Sequence, residues 1–136
     1  MEEPARKRVL VIDDDATVRA IVAETLRGEG YRVEEAADGT AGLEKVGADP
    51  PDLVLLDIRM AGMDGMQFLR ELHQTSSSKE VPIIIITGTP ELPDSAHEHG
   101  IKAVLTKPFD LGLLTAMVER LVRAGGGSDE DESSTG

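Results

Sequence analysis

Short apolar runs bounded by turn-forming residues alternate along the chain with segments of helical periodicity. The strong runs cover residues 9–12, 53–56, 83–86 and 103–105, and a weaker run covers residues 31–36. The strong runs are apolar throughout, as expected of strands that are covered on both faces. The alternation predicts an α/β domain in which five parallel strands form a sheet with helices on both sides.

Helical periodicity predicts helices over residues 16–27, 40–46, 66–74 and 111–122. Asp15 is placed to cap the first helix, and Gly28 and Gly30 are placed to end it. The expected apolar faces of the first and last helices are Val18, Ile21, Val22, Thr25 and Leu26, and Leu113, Leu114, Met117, Val118 and Leu121. Pro90 and Pro93 leave room only for a short further helix at about residues 94–99.

The composition sets limits on the number of domains. With 136 residues, of which 40% are apolar, the chain is long enough for one hydrophobic core and too short for two. We expect an N-terminal extension at residues 1–7, one domain at residues 8–124, and a disordered acidic tail at residues 125–136. The absence of cysteine excludes disulfides, thiolate metal sites and cysteine nucleophiles.

The negative net charge of the chain limits the classes of molecule that it can bind. A formal net charge of −12 repels phosphate backbones and anionic lipids, so we expect no direct binding of nucleic acid or membranes. No apolar run is long enough for a membrane span or a signal-peptide core. These features predict a cytoplasmic protein whose partners are cations or basic protein surfaces.

Polar side chains follow the ends of four predicted strands. They are Asp13 and Asp14 after the first strand, Asp57 after the third, Thr87 after the fourth and Lys107 after the fifth. In an open parallel sheet, ligands bind at the carboxyl ends of the strands, so these groups are expected to converge. Clustered carboxylates without histidine or cysteine favour a hard cation, Mg²⁺ or Mn²⁺. Together with a hydroxyl and an ammonium group, they are suited to receive a phosphoryl group.

Four sequence motifs resemble those of a known family. They are VIDDD at residues 11–15, DLVLLDIRMAGMDG at 52–65, ITG at 86–88 and LTKPF at 105–109. In this order they resemble the receiver (REC) domain of two-component response regulators, particularly the single-domain regulators of chemotaxis. The resemblance implies a three-layer, flavodoxin-like (βα)5 fold, a doubly wound parallel sheet with strand order 2-1-3-4-5.

The resemblance also implies roles for individual residues. Asp57 would take a phosphoryl group from a phosphohistidine of a sensor histidine kinase or histidine phosphotransfer protein, and the altered domain would then bind a downstream effector protein. The implied Mg²⁺ ligands are Asp13, Asp14, Asp57 and the main-chain carbonyl of Arg59. The implied phosphoryl contacts are Thr87, Lys107 and the main-chain N–H of Gly88.

Three features depart from the family pattern. Ala61 replaces the usual proline in the loop after the acceptor, the segment between Thr87 and Lys107 is short, and Val104 stands where an aromatic residue is common. Valine cannot swing as an aromatic ring does. We therefore expect intact phosphorylation chemistry but a different or weaker change at the surface that transmits the signal.

Two other functions compete with this interpretation. Residues 13–17 fit the D-x-D-x-T pattern of haloacid-dehalogenase-like phosphatases, with Asp13 as nucleophile and Asp15 as acid-base. That reading leaves Asp57 unexplained. The chain could instead be a receiver-shaped binding module that phosphate does not control. On the favoured interpretation it is not an enzyme beyond supporting its own phosphorylation and dephosphorylation. If the sequence is complete, its output is a protein contact or phosphotransfer.

Overall fold

A computed structural model describes residues 6–58, 65–75, 81–88 and 101–126. The elements along the chain are β1 Arg8–Ile12, α1 Ala16–Gly28, β2 Arg32–Ala36, α2 Gly39–Ala48, β3 Leu53–Asp57, α3 Gly65–Thr75, β4 Ile83–Thr87, β5 Ile101–Thr106 and α4 Leu111–Gly126. Every predicted strand is present, as are the four predicted helices within the described ranges. The short helix expected at residues 94–99 lies outside the described residues, as does the tail from residue 127.

The strands form one parallel sheet in the order β2-β1-β3-β4-β5. This order confirms the flavodoxin-like topology, with the reversal of strand order between β1 and β3. Strands β1, β3 and β4 lie in the middle of the sheet, and apart from Arg8 at the start of β1 and the polar ends of β3 and β4 they consist of buried aliphatic residues. Their apolar sequences therefore reflect helices packed on both faces of the sheet.

Alternating strand residues divide the core between the two faces. On one face, Val9, Val11, Leu53 and Leu55 pack with α1 and α4, whose buried contributors are Val22, Ala23, Leu26, Leu114, Val118 and Val122. On the other face, Leu10, Ile12, Val54 and Leu56 pack with α2 and α3, through Val46, Phe68, Leu69 and Leu72. The result is the predicted three-layer arrangement. None of the described helices has the length and apolar character needed to cross a membrane.

Side-chain caps fix where the helices begin. The Asp15 carboxylate accepts hydrogen bonds from the N–H groups of Thr17 and Val18, as predicted. Asp38 caps α2 in the same way, and Asp110 accepts from two N–H groups in the first turn of α4. After α1 the chain turns at Gly30, whose φ of 100° suits glycine. The helices that follow β1 and β5 therefore start at defined positions beside the carboxyl edge of the sheet.

Three expectations about burial were wrong. Ile21 and Leu113, assigned to apolar helix faces, are 48% and 50% exposed. Strand β5 was expected to be covered on both faces, but only Leu105 in it is buried. As an edge strand, β5 has one neighbour in the sheet, and it receives less cover than the central strands.

Candidate phosphoryl and metal site

Register places two aspartates side by side at the carboxyl edge. Ile12 of β1 pairs with Leu56 of β3, so the residues that follow, Asp13 and Asp57, emerge next to each other. Both are nearly inaccessible, at 2% and 5% exposure. Asp57 also pairs with Ile86 of β4, which puts it in the middle of the sheet. The two neighbouring strands β1 and β3 thus place two buried carboxylates side by side at the carboxyl edge of the sheet.

Asp14 completes a group of three carboxylates. One oxygen from each of Asp13, Asp14 and Asp57 lies within 4.8 Å of the others, and Asp14 is the exposed member. Among the described residues, this is the one group of at least three acidic, histidine or cysteine side chains close enough to share a metal ion. The arrangement concentrates negative charge at a spot that solvent reaches from the Asp14 side.

Lys107 provides the positive charge at this spot. Its Nζ lies 3.4 Å from Oδ2 of Asp13 and 3.4 Å from Oδ2 of Asp57. Partial burial lowers the pKa of Lys107, but the charges and hydrogen bonds of Asp13 and Asp57 outweigh it and raise the pKa above its ordinary value. Lys107 is therefore an ammonium ion at physiological pH, and it bridges the two buried carboxylates.

Thr87 ends β4, the strand that lies between β3 and β5 in the sheet. Thr87 is fully buried at the end of β4, and its carbonyl accepts a 2.7 Å hydrogen bond from the N–H of Lys107. A Cβ added to Gly88 would meet no described atom within 4 Å. The Lys107–Pro108 peptide bond is cis. Among the described residues, Gly88 is therefore not crowded by any neighbouring atom.

Gly65 is required by the chain path after Asp57. Its N–H donates to the carbonyl of Ile58 at 3.0 Å, and a Cβ at Gly65 would lie 2.6 Å from the Cα of Ile58. Only glycine allows the start of α3 to approach the end of β3 so closely. Residues 59–64 lie outside the described residues, so the expected metal-ligand carbonyl of Arg59 and the substituted Ala61 are not placed.

The donor set fits a hard divalent cation. Asp13, Asp14 and Asp57 offer only carboxylate oxygens, which Mg²⁺ and Mn²⁺ prefer over the softer ligands that zinc and copper select. Lys107 balances one of the three negative charges, and a divalent ion would balance the other two.

The sequence did not reveal one contact of the site. Arg19 of α1 donates a 2.7 Å hydrogen bond from Nη1 to the main-chain carbonyl of Asp13. The only sequence signal is its place one turn into the helix that follows the aspartates, and many surface arginines share such a place. Its partner is a backbone oxygen, which no residue pattern identifies.

Comparisons with known proteins agree with this geometry. The profile of the response regulator receiver domain matches residues 9–119. Response regulator MprA of Mycobacterium avium is 34% identical over 93% of this chain, and response regulator PleD of Caulobacter vibrioides is 39% identical over 85% of it. The chain spans 55% of the length of the first relative and 26% of the second. Chemotaxis protein CheY4 of Vibrio cholerae has a similar structure, with a TM-score of 0.76 and 31% identity over 86% of this chain and 99% of its own.

Proposed function

Because this chain belongs to the response regulator receiver domain family of two-component signalling, we propose that Asp57 is its phosphoacceptor and takes a phosphoryl group from a phosphohistidine. The donor is a sensor histidine kinase or a histidine phosphotransfer protein. One observation carries the proposal: the Asp57 carboxylate, two further carboxylates and the Lys107 ammonium converge at the carboxyl end of the central strand.

The cluster of three carboxylates is the proposed site of a Mg²⁺ ion, which Mn²⁺ can replace. Asp13, Asp14 and Asp57 would hold it, with the main-chain carbonyl of Arg59 as a further ligand. When bound, the ion neutralises charge on the phosphoryl oxygens during transfer. The buried position of Asp13 and Asp57 supports this assignment, since neighbouring buried carboxylates are costly without cations.

The residues of the chain divide the remaining work. An Asp57 carboxylate oxygen attacks phosphorus, a P–O bond forms, and the P–N bond breaks with its electron pair going to the imidazole of the donor. The Nζ of Lys107 lies 3.4 Å from Oδ2 of Asp57, so its positive charge can stabilise the negative charge of the phosphoryl group as that group reaches Asp57. Thr87 and the N–H of Gly88 are proposed to contact the phosphoryl oxygens, because Thr87 ends the neighbouring strand β4 and Gly88 follows it. Positioning and charge neutralisation then supply most of the acceleration.

The product of the transfer is proposed to change the binding of a downstream effector protein. Val104 of β5 pairs with Ile85 and packs against the core on the face of α2 and α3. Its β-branched side chain is stiff at χ1 and has no ring to swing, so we expect the signal to leave by a different or weaker change than the family's aromatic switch. Amide exchange with and without beryllofluoride, a phosphoryl mimic, measures that change. A large protection change centred on β5 would contradict the expectation.

The boundaries and setting of this function are part of the proposal. We assign it to a domain at residues 8–124, flanked by an extension and an acidic tail, in the cytoplasm. The chain catalyses only its own phosphorylation and dephosphorylation. Its net charge of −12 disfavours direct contact with nucleic acid or membranes, so the proposed outputs are protein contacts.

The phosphatase alternative needs Asp15 as its acid-base group, but the structure uses Asp15 as a helix cap. In that reading Asp15 handles the proton, but the Asp15 carboxylate accepts the N–H groups of Thr17 and Val18 as the cap of α1. Asp57, which that reading leaves unexplained, instead lies with Asp13 and Lys107. The binding-module alternative differs from the proposal in one result, since it requires partner binding that survives Asp57→Asn.

Intact mass after incubation with acetyl phosphate tests the proposal. We expect a labile phosphoryl adduct on the wild type in Mg²⁺, and none in EDTA or with Asp57→Asn. Asp49→Asn removes an exposed carboxylate that pairs with Arg8 at the start of β1, the end of the strand opposite the site, and should label like the wild type. An adduct that persists in Asp57→Asn, or one that forms equally in EDTA, would contradict the proposal.

A further inference from the structure

Asp13 is held by contacts to both its main chain and its side chain. Its N–H donates to the carbonyl of Ala36 at 3.2 Å, and its Oδ1 accepts from the N–H of Asp15 at 2.9 Å. Its Oδ2 faces Lys107, and its carbonyl accepts from Arg19. The contact with Arg19 is the one that comes from a helix side chain rather than from the immediate edge of the sheet.

The Arg19 guanidinium spans two elements. Nη1 donates to the Asp13 carbonyl at 2.7 Å while Nε donates to Oε1 of Glu35 at 3.2 Å. Glu35 lies on β2, and its other oxygen is 3.4 Å from Nη1 of Arg27. The side chains of Arg19 and Glu35 are 19% and 31% exposed, so the bridge is partly shielded from water. A planar fork with donors in fixed directions makes such a bridge rigid.

The Asp13 carbonyl controls more than one carboxylate. It belongs to the planar peptide unit that also carries the N–H of Asp14, so fixing that oxygen fixes the plane joining the two residues. Asp14 is the exposed member of the carboxylate group, and its position depends on this backbone unit. Glu35 meanwhile neutralises the guanidinium, so that Arg19 orients the turn without placing an unbalanced positive charge beside a cation site.

We propose that Arg19, anchored by Glu35, is a positioning residue that holds the β1–α1 turn so that Asp13 and Asp14 present their carboxylates to a divalent cation. This inference rests on the proposed function for the cation but not on phosphoryl transfer itself. Arg19 acts through the backbone of Asp13, much as hydrogen-bond partners outside the ligand set orient metal ligands in other sites.

Arg27 offers a matched control. Both arginines belong to α1 and both pair with Glu35, but Arg27 donates to the carbonyl of Val33, whereas Arg19 donates to that of Asp13. Loss of either arginine weakens the link between α1 and β2. Only loss of Arg19 releases the metal-binding turn. A difference between the two variants therefore separates positioning from general structural support.

Mn²⁺ binding, followed by the electron paramagnetic resonance of the free ion, is the direct test. Arg19→Ala should raise the Mn²⁺ dissociation constant about ten-fold, as is typical when a partner of a metal ligand is removed. Arg27→Ala should change it less than about two-fold. Arg19→Lys keeps the charge but cannot make both contacts, so it should resemble Arg19→Ala. With acetyl phosphate, Arg19→Ala should need more Mg²⁺ for half-maximal labelling yet reach the wild-type rate at saturation.

The outcomes distinguish this inference from the proposed function. Equal losses of Mn²⁺ affinity in Arg19→Ala and Arg27→Ala, or wild-type affinity in Arg19→Lys, would contradict the positioning role of Arg19. Neither result would contradict phosphorylation of Asp57. A lower saturating rate with unchanged Mg²⁺ demand would also contradict the positioning role. A wild type that binds no Mn²⁺ and forms no adduct would refute both. If Arg19→Ala does not fold, as judged by circular dichroism, Arg19→Lys decides the matter alone.

Discussion

Replacing Asp57 with asparagine should stabilise the metal-free protein even though it removes the proposed phosphoacceptor. In the absence of a cation, Asp57 is a 5% exposed carboxylate that shares a small space with Asp13 and Asp14. Asparagine has nearly the same shape and no charge. The substitution therefore relieves electrostatic cost without opening a cavity in the core.

The separations in the structure set the magnitude. A carboxylate oxygen within 4.8 Å of Asp57 repels it by at least about 3.5 kcal/mol at an effective dielectric constant near 20. Asp13 exerts about this much, and exposed Asp14 less because water screens it. The attraction of Lys107 at 3.4 Å is about 5 kcal/mol on the same scale, so the pairwise energies nearly cancel. The desolvation of Asp57, several kcal/mol, then remains.

Lys107 is not left without a partner by the substitution, because it keeps its 3.4 Å contact with Asp13. Asparagine also recovers some hydrogen bonding but loses the charge-assisted part. We therefore expect a net gain of about 1–3 kcal/mol in the free energy of unfolding, less than the full desolvation cost.

Urea unfolding followed by circular dichroism measures this gain. In EDTA the midpoint of Asp57→Asn should rise by about 1 M, for a slope of about 2 kcal/mol per M. In Mg²⁺ at about 100 times its dissociation constant, the wild type should gain about 2.7 kcal/mol, and the variant much less. Asp49→Asn, which loses an ion pair with Arg8 away from the site, should gain as much from Mg²⁺ as the wild type does. A variant less stable than the wild type in EDTA, or equal stabilisation of both by Mg²⁺, would refute this electrostatic account.

Three further predictions follow from single residues. A methyl group at Gly42 would lie 2.5 Å from a buried side chain of β1, so Gly42→Ala should lower the free energy of unfolding by about 1–3 kcal/mol. Gly47→Ala in the same helix meets no atom within 4 Å and should raise it by about 0.5–1 kcal/mol; the opposite order in urea would contradict this. Gly65→Ala would force the backbone of Ile58 away, so labelling by acetyl phosphate should slow markedly while the fold persists. Burial and nearby carboxylates raise the pKa of Tyr31, the only tyrosine. The phenolate absorbance of the folded protein should therefore appear at a higher pH than that of the protein unfolded in urea. The folded state holds that proton more tightly, so stability should fall as the pH rises above about 10.

The strand-end rule accounts for how much of the site could be read from the sequence. Asp13 follows β1, Asp57 ends β3 and Lys107 follows β5, and a parallel sheet brings such positions to one edge. The neighbour order that makes them converge came from the family resemblance, because periodicity alone does not order strands. Family membership is confirmed, whereas the roles assigned to the site residues, Thr87 and Gly88 among them, stay predictions.

Burial at the margins of the fold could not be read in the same way. Helical spacing gives the direction of an apolar face but not the width of the surface it meets, so Ile21 and Leu113 were placed in the core although about half of each is exposed. The apolar sequence of β5 resembles that of a central strand, yet its edge position leaves most of its side chains partly exposed. The Arg19 contact depends on a long side chain reaching a backbone oxygen, which residue type does not determine.

The central claim is that Asp57 carries the phosphoryl group, and borohydride trapping tests it most directly. Borohydride reduces an aspartyl phosphate to homoserine, which peptide sequencing by mass spectrometry then locates. After labelling with acetyl phosphate in Mg²⁺, the account predicts homoserine at position 57 and intact aspartate at positions 13 and 14. Homoserine at position 13 would instead support the phosphatase reading, and homoserine at any position other than 57 would contradict the account.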